Sequence, residues 1–139
     1  MRAGPRLILA LWAGGLVSLG GVVTPTLFAT LEDARLAGRI AGSLFHVATL
    51  GSVLVCLVLL LVERRVQVSR PTWRQWLGRI APVLLLAASE WGVRPLLEAA
   101  RAAGGSASTE FALWHGVSTA LYVAATAWVV ATLAAELRR

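Results

Sequence analysis

GRIAGSLFHVATLGSVLVCLVLLLV, residues 38–62, is the stretch on which the fold turns: 25 residues with a single charge, Arg39, near its start. At 1.5 Å per residue such a helix reaches about 37 Å, enough to cross a hydrocarbon layer of about 30 Å. Three further stretches share this character. They run from about Leu7 to Phe28, from about Leu77 to Ala99, and from about Glu110 to Ala135. The third is the most interrupted, carrying Pro82, Glu90, Arg94 and Pro95. The expectation is an all-α integral membrane bundle of four transmembrane helices, a single domain over residues 1–139.

Composition agrees. Hydrophobic residues make up 58% and charged residues 14% of the chain, and mean hydropathy is +0.74, whereas soluble domains hold about 45–50% apolar and about 25% charged residues. A water-soluble globule and a disordered chain are both excluded on these figures. One cysteine, Cys56, admits no intrachain disulfide and no CxxC motif. The net charge of +6 comes from 13 basic residues, all Arg. They sit between the apolar runs rather than on one face of a soluble module, which argues against nucleic acid and for membrane topology. Arg2, Arg6, Arg64, Arg65, Arg70, Arg74, Arg79, Arg138 and Arg139 fall on one side, and Arg35, Arg39, Arg94 and Arg101 on the other. Nine against four predicts cytoplasmic termini in a bacterial inner membrane, with the loops near 30–37 and 100–109 facing outward. The first apolar run follows Arg2 and Arg6 as in a signal peptide, but it outlasts a signal core of about 7–15 residues, so a retained helix is expected.

Capping signals support the boundaries. Pro71, Thr72 and Gln75 give a Thr-x-x-Gln box before the third helix, with Trp73 and Trp76 at interfacial level. Thr109 and Glu110 suit the start of the fourth helix. The segment 102–108 has nothing apolar to pack and reads as a mobile loop.

Helices in lipid associate through small residues and polar bonds, because lipid supplies no hydrophobic drive between them. Ala112, Gly116, Ala120 and Ala124 form a ridge at spacing four on the fourth helix. Gly38 and Gly42, then Ala48, Ser52 and Cys56, mark the second helix, and Gly14, Gly15, Ser18, Gly21 and Pro25 the first. These are the expected packing positions, serving the bundle itself or self-association.

Ionisable groups inside a span cost a few kcal/mol each, so each asks for a partner or a purpose. Here they are His46, Glu90, Arg94 and His115, all roughly 9–15 Å below the outer boundary by helical rise. One outer-leaflet polar layer is therefore expected. His115, Thr119, Tyr122 and Thr126 share one helical stripe, as do His46, Thr49 and Cys56. Two explanations stand side by side: a structural hydrogen-bond network with Glu90–Arg94–Glu98 as an i, i+4 ladder, or a site for a ligand, ion or proton. His46, Glu90 and His115 together would also suffice as ligands of a transition metal, and His46 with His115 as axial ligands of a b-type haem. No HExxH, Gly-x-Ser-x-Gly or phosphate-loop motif is present to support hydrolysis.

Several of these residues resemble a known family. Trp12-Ala-Gly14-Gly15, Pro25-x-x-Phe28, Ala37-Gly38, Ala41-Gly42-x-x-Phe45, Arg94-Pro95 with Arg101, and Trp114-His115-Gly116-Val117-Ser118 with Tyr122 are similar in order and spacing to the transmembrane protein 205-like family, domain of unknown function 4149. The resemblance implies a four-helix membrane domain and no established reaction. It matches the family's His-Gly-x-Ser element to His115, Gly116 and Ser118, and departs from it where Ser89 and Glu90 stand in place of an Asn before the proline.

The expected function is thus that of a non-enzymatic multi-pass protein whose outer polar layer (His46, Glu90, Arg94, His115, Ser118, Tyr122) binds a small ligand or ion or docks a partner. The alternatives are a structural subunit of a larger membrane complex and a haem- or metal-binding protein. No cofactor is expected under the first reading, and the partners are lipid, other membrane subunits or a second copy.

Overall fold

The structure, a computed structural model, describes residues 3–66 and 72–138. Arg2, Arg70, Pro71 and Arg139 lie outside the described residues. The chain forms α1 (Ala3–Ser18), a π-helical turn (Leu19–Val23), α2 (Thr24–Thr30), α3 (Ala34–Val66), α4 (Trp73–Ala87), a second π-helical turn (Ala88–Val93), α5 (Arg94–Gly104) and α6 (Thr109–Leu137). There is no strand among the described residues. Joined through their π turns, these elements make four helices long and apolar enough to cross a membrane: Ala3–Thr30, Ala34–Arg65, Trp73–Gly104 and Thr109–Leu137.

Both π turns have the same cause. Pro25 and Pro95 each sit one residue into the following helix, where a proline offers no N–H and its ring pushes against the carbonyl four residues earlier. The preceding turn widens to accommodate this. The backbone N–H of Thr24 donates to Leu19 O and that of Arg94 to Ser89 O, both i→i−5 bonds. The Thr24 hydroxyl adds a second bond to Leu19 O at 2.9 Å. The third span therefore runs without a break through Pro95 to Gly104.

Each helix is longer than hydropathy alone indicates, because polar caps extend it past the apolar run. Asp33 caps α3, its Oδ1 accepting from the N–H of Arg35 at 2.8 Å and of Leu36 at 3.3 Å. Thr72 N–H donates to Gln75 Oε1 at 2.8 Å at the start of α4. The cap of α6 is Ser108, whose Oγ accepts from Phe111 N–H at 3.2 Å; Thr109 is the first helical residue and not the cap. Residues 102–104 form the last turn of α5, and Gly105 ends it at φ +75°, a left-handed conformation that glycine adopts without steric cost. The expected mobile loop is thus reduced to a tight turn, with Ser108 Oγ donating to Gly105 O at 3.0 Å.

The four spans pack as a square, each against its neighbours in sequence and the fourth against the first. Short connections make adjacent spans antiparallel. The start of α1, the end of α3, the start of α4 and the end of α6 lie at one end (the termini end), and residues 31–33 and 105–108 at the other (the loop end). The apolar core is Leu9, Trp12, Ala13 and Leu16 of α1, Cys56 and Leu59 of α3, Leu86 of α4, and Ala125 and Val129 of α6. Leucines 7, 11, 54, 57, 61, 84 and 113 are exposed around the outside. A bundle whose outer faces are this apolar is solvated by lipid, and the chain is a multi-pass membrane protein.

The small residues fall differently from the sequence-based expectation. Ala112, Gly116, Ala120 and Ala124 are all exposed, as are Gly14, Gly15, Gly21 and Pro25, and nothing lies where a Cβ at Gly14, Gly15 or Gly116 would go. The inward face of α6 is instead Ser118, Tyr122, Ala125, Val129, Thr132 and Glu136, a 4-3 repeat. Close approach between spans occurs at two other glycines. A Cβ on Gly20 would meet Tyr122 Cε1 at 2.7 Å, and one on Gly78 would meet Thr132 Cγ2 at 3.1 Å. Gly38 and Gly42, half-buried, make room for arginines: a Cβ there would lie 3.9 Å from Arg101 Nη2 and from Arg94 Nη2 respectively.

Candidate functional site

The second π turn sets up the polar layer. It carries Glu90 into the bundle, where the side chain is only 8% exposed, directly across from His46 of α3. His46 Nδ1 lies 2.6 Å from Glu90 Oε1. An ionised carboxylate only accepts, so with that species this contact requires a proton on Nδ1 of a ring that is 43% accessible. Arg94, first residue of α5, donates through Nη1 to the same Oε1 and through Nε to Glu98 Oε1 at 3.0 Å. Its Nη1 also reaches Gly42 O at 3.5 Å. One carboxylate oxygen thus collects two donors from two helices, and the i, i+4 ladder Glu90–Arg94–Glu98 continues to the loop end. Arg101, one turn further, stacks on Phe111 at 4.9 Å rather than joining the ladder.

His115 is not part of this layer. It lies on the exposed face of α6 with its ring stacked on Phe111 at 5.9 Å and 7°. The same stripe divides by level: His115 and Thr119 are exposed, whereas Tyr122 is covered, its hydroxyl donating to Leu16 O at 2.6 Å and its ring edge-on to Phe45 at 4.8 Å. The first span explains the division. α1 packs along α6, but beyond the π turn at Pro25 the chain leaves α6 and α2 packs on α3. Ser118 does face inward, but it pairs with Ser89 at 2.8 Å rather than with the ionisable groups.

This placement separates the metal and haem candidates. His46 and Glu90 are together and His115 is elsewhere, and no cluster of three or more His, Cys, Asp or Glu side chains forms among the described residues. The second and fourth spans occupy opposite corners of the square, and His115 points away from the interior. A bis-His haem between His46 and His115 does not fit.

A second ionic cluster, absent from the sequence-based expectation, lies at the termini end. Arg79 of α4, 1% exposed, donates to Glu63 Oε1 of α3 through Nη2 at 2.7 Å and Nε at 3.2 Å, and to Glu136 Oε1 of α6 through Nη2 at 3.3 Å. Its Nη1 donates to Gln75 O at 3.2 Å, and its carbonyl accepts from Cys56 Sγ at 3.4 Å. Glu63 and Glu136 sit at helix ends, where hydropathy reads them as solvated. The signal that identifies Glu63 is the seam of α3: Gly42, Phe45, Thr49, Ser52, Cys56, Leu59 and Glu63 alternate at spacings of three and four, which puts Glu63 on the buried face. Between the two clusters, Trp12 Nε1 donates to Ser52 Oγ at 2.9 Å in the apolar core.

The sequence model of a domain of unknown function, DUF4149, matches residues 7–106, from the first span through α5. The match is to that domain and does not extend to the transmembrane protein 205 label. Comparison with curated proteins and with solved structures finds no match.

Proposed function

This chain belongs to the DUF4149 family, whose function is unknown, and we propose that it is a non-enzymatic protein of the bacterial inner membrane whose polar layer binds an exchangeable proton between His46 and Glu90. The observation that carries this is the 2.6 Å contact between a buried carboxylate and a half-exposed imidazole. Arg94, itself paired with Glu98, holds the carboxylate in place against the half-exposed ring. The arginine count favours both termini in the cytoplasm, which sets the layer in the outer leaflet. Cysteine scanning with an impermeant reagent on cells tests that orientation: a cysteine at position 106 should react, and native Cys56, 6% exposed, should not.

The proton reading is tested in detergent by following the unfolding midpoint as pH is varied. Wild type should change with pH, and Glu90→Gln and His46→Gln should each flatten the change. Equal profiles in all three proteins would sink the reading. A stoichiometric metal in the purified protein would favour the metal alternative, with His46 and Glu90 among its ligands.

A second reading, a structural subunit of a larger membrane complex, is supported by the uncovered face of α6, where Ala112, Gly116, Ala120 and Ala124 run beside exposed His115. A monodisperse monomer with no co-purifying protein would count against it.

A further inference from the structure

The termini end carries a surface that the polar layer does not use. α3 ends with Arg64 and Arg65, and α4 begins with Trp73, Arg74 and Trp76. The Arg64 guanidinium lies over the Trp76 ring at 5.8 Å, which fixes the cation without consuming its N–H edges. The nearby acids are turned away: Glu63 and Glu136 both point inward onto Arg79. Arg64, Arg65 and Arg74 are exposed, and none forms an ion pair among the described residues. The loop end differs, because there Arg94 is held by Glu90 and Glu98, and the acids Glu32 and Asp33 adjoin Arg35 along the chain.

A shallow crevice between α3 and α4, lined by Leu60, Glu63, Arg64, Gln75 and Trp76, opens beside the stacked guanidinium. Both helices carry exposed leucines further toward the bundle centre. Leu57, seven residues before Arg64 on the same face of α3, and Leu84, eight residues after Trp76 on α4, are exposed. Trp73, one turn before Trp76 at the start of α4, is 71% exposed. A surface with an unneutralised guanidinium at one level and exposed leucines on both helices about 10 Å below it matches an amphiphile with an anionic head.

We propose that this corner seats one anionic phospholipid, its phosphodiester on Arg64, its acyl chains along Leu57 and Leu84, and its charge favoured by Arg65 and Arg74. A zwitterionic lipid would bring its own cation into a region already positive, and free phosphate would gain nothing from the leucines. The site does not depend on the proton reading of the polar layer.

The test uses the full chain in non-ionic detergent, loaded with phosphatidylglycerol or phosphatidylcholine, washed, and weighed by native mass spectrometry. One phosphatidylglycerol should be retained and phosphatidylcholine lost. Arg64→Gln should lower the retained fraction by about five- to tenfold, the scale of one surface arginine, and Arg64→Lys should restore part of it. Arg35→Gln, at the other end, should leave retention unchanged. Equal retention of both lipids, or Arg64→Gln behaving as wild type, would overturn the proposal. Displacement of the lipid by excess inorganic phosphate alone would overturn it in favour of a simple anion site. Because Arg64 is exposed, the melting profile in phosphatidylcholine should be the same for wild type and Arg64→Gln.

Discussion

Replacing Arg79 by Met probes the termini-end cluster most directly. The change keeps a long unbranched side chain at a position 1% exposed but removes the cation that Glu63 and Glu136, each 4% exposed, both contact. Removing one member of a buried ionic group costs about 3–5 kcal/mol, because the remaining charge stays desolvated. At about 1.4 kcal/mol per tenfold, the unfolding constant should rise by at least about a hundredfold. Glu63→Gln should be milder, since its side-chain oxygen can still accept from Arg79 Nε and Nη2, which now lie 3.2 and 2.7 Å from Glu63 Oε1. Replacing all three residues, Arg79→Met with Glu63→Leu and Glu136→Leu, should recover most of the loss, because apolar substitutes for a whole buried ionic group are often neutral or better. Unfolding in mixed micelles of rising anionic-detergent fraction, followed by helical circular dichroism, measures each step. If Arg79→Met unfolds with wild type, or the triple variant is weaker than Arg79→Met alone, the cluster does not hold α3, α4 and α6 together in the way its geometry implies.

Two further predictions follow from packing in the same assay. Gly20→Ala should destabilise by about 1–3 kcal/mol, because Tyr122, tied to Leu16 O and edge-on to Phe45, cannot retreat from a Cβ at 2.7 Å; Gly116→Ala, with open space around it, should be neutral or stabilise by up to about 1 kcal/mol. Trp12→Phe should cost about 1–3 kcal/mol by leaving Ser52 without its donor, and adding Ser52→Ala should return part of that.

The sequence fixes depth far better than direction. Hydropathy locates four spans, and helical rise puts His46, Glu90, Arg94 and His115 near one level, because both are one-dimensional properties of the chain. Which residues face one another depends on the angle around each helix axis, and there the signal varies from span to span. On α3 the polar seam from Thr49 through Ser52 and Cys56 to Glu63 is buried and contrasts with leucines at 50, 54, 57 and 61 outside, so its inward face is legible. On α6 two faces are nearly alike: the exposed one holds Ala112, Gly116, Ala120 and Ala124, and the inward one Ser118, Ala125 and Val129. Small residues on both sides leave no contrast for a sequence to reveal, and the polar character of His115 then points the wrong way. What decides the matter lies on another helix, at Pro25. The π turn before it takes α2 away from α6, so the flank that covers Tyr122 is missing about two turns higher, at His115. The corresponding turn before Pro95 has the opposite effect, bringing Glu90 inward onto His46. The two prolines, read from sequence as helix interruptions, thus choose which histidine joins the polar layer. Restoring an α-helical turn at either proline should therefore alter that layer without changing any residue that forms it.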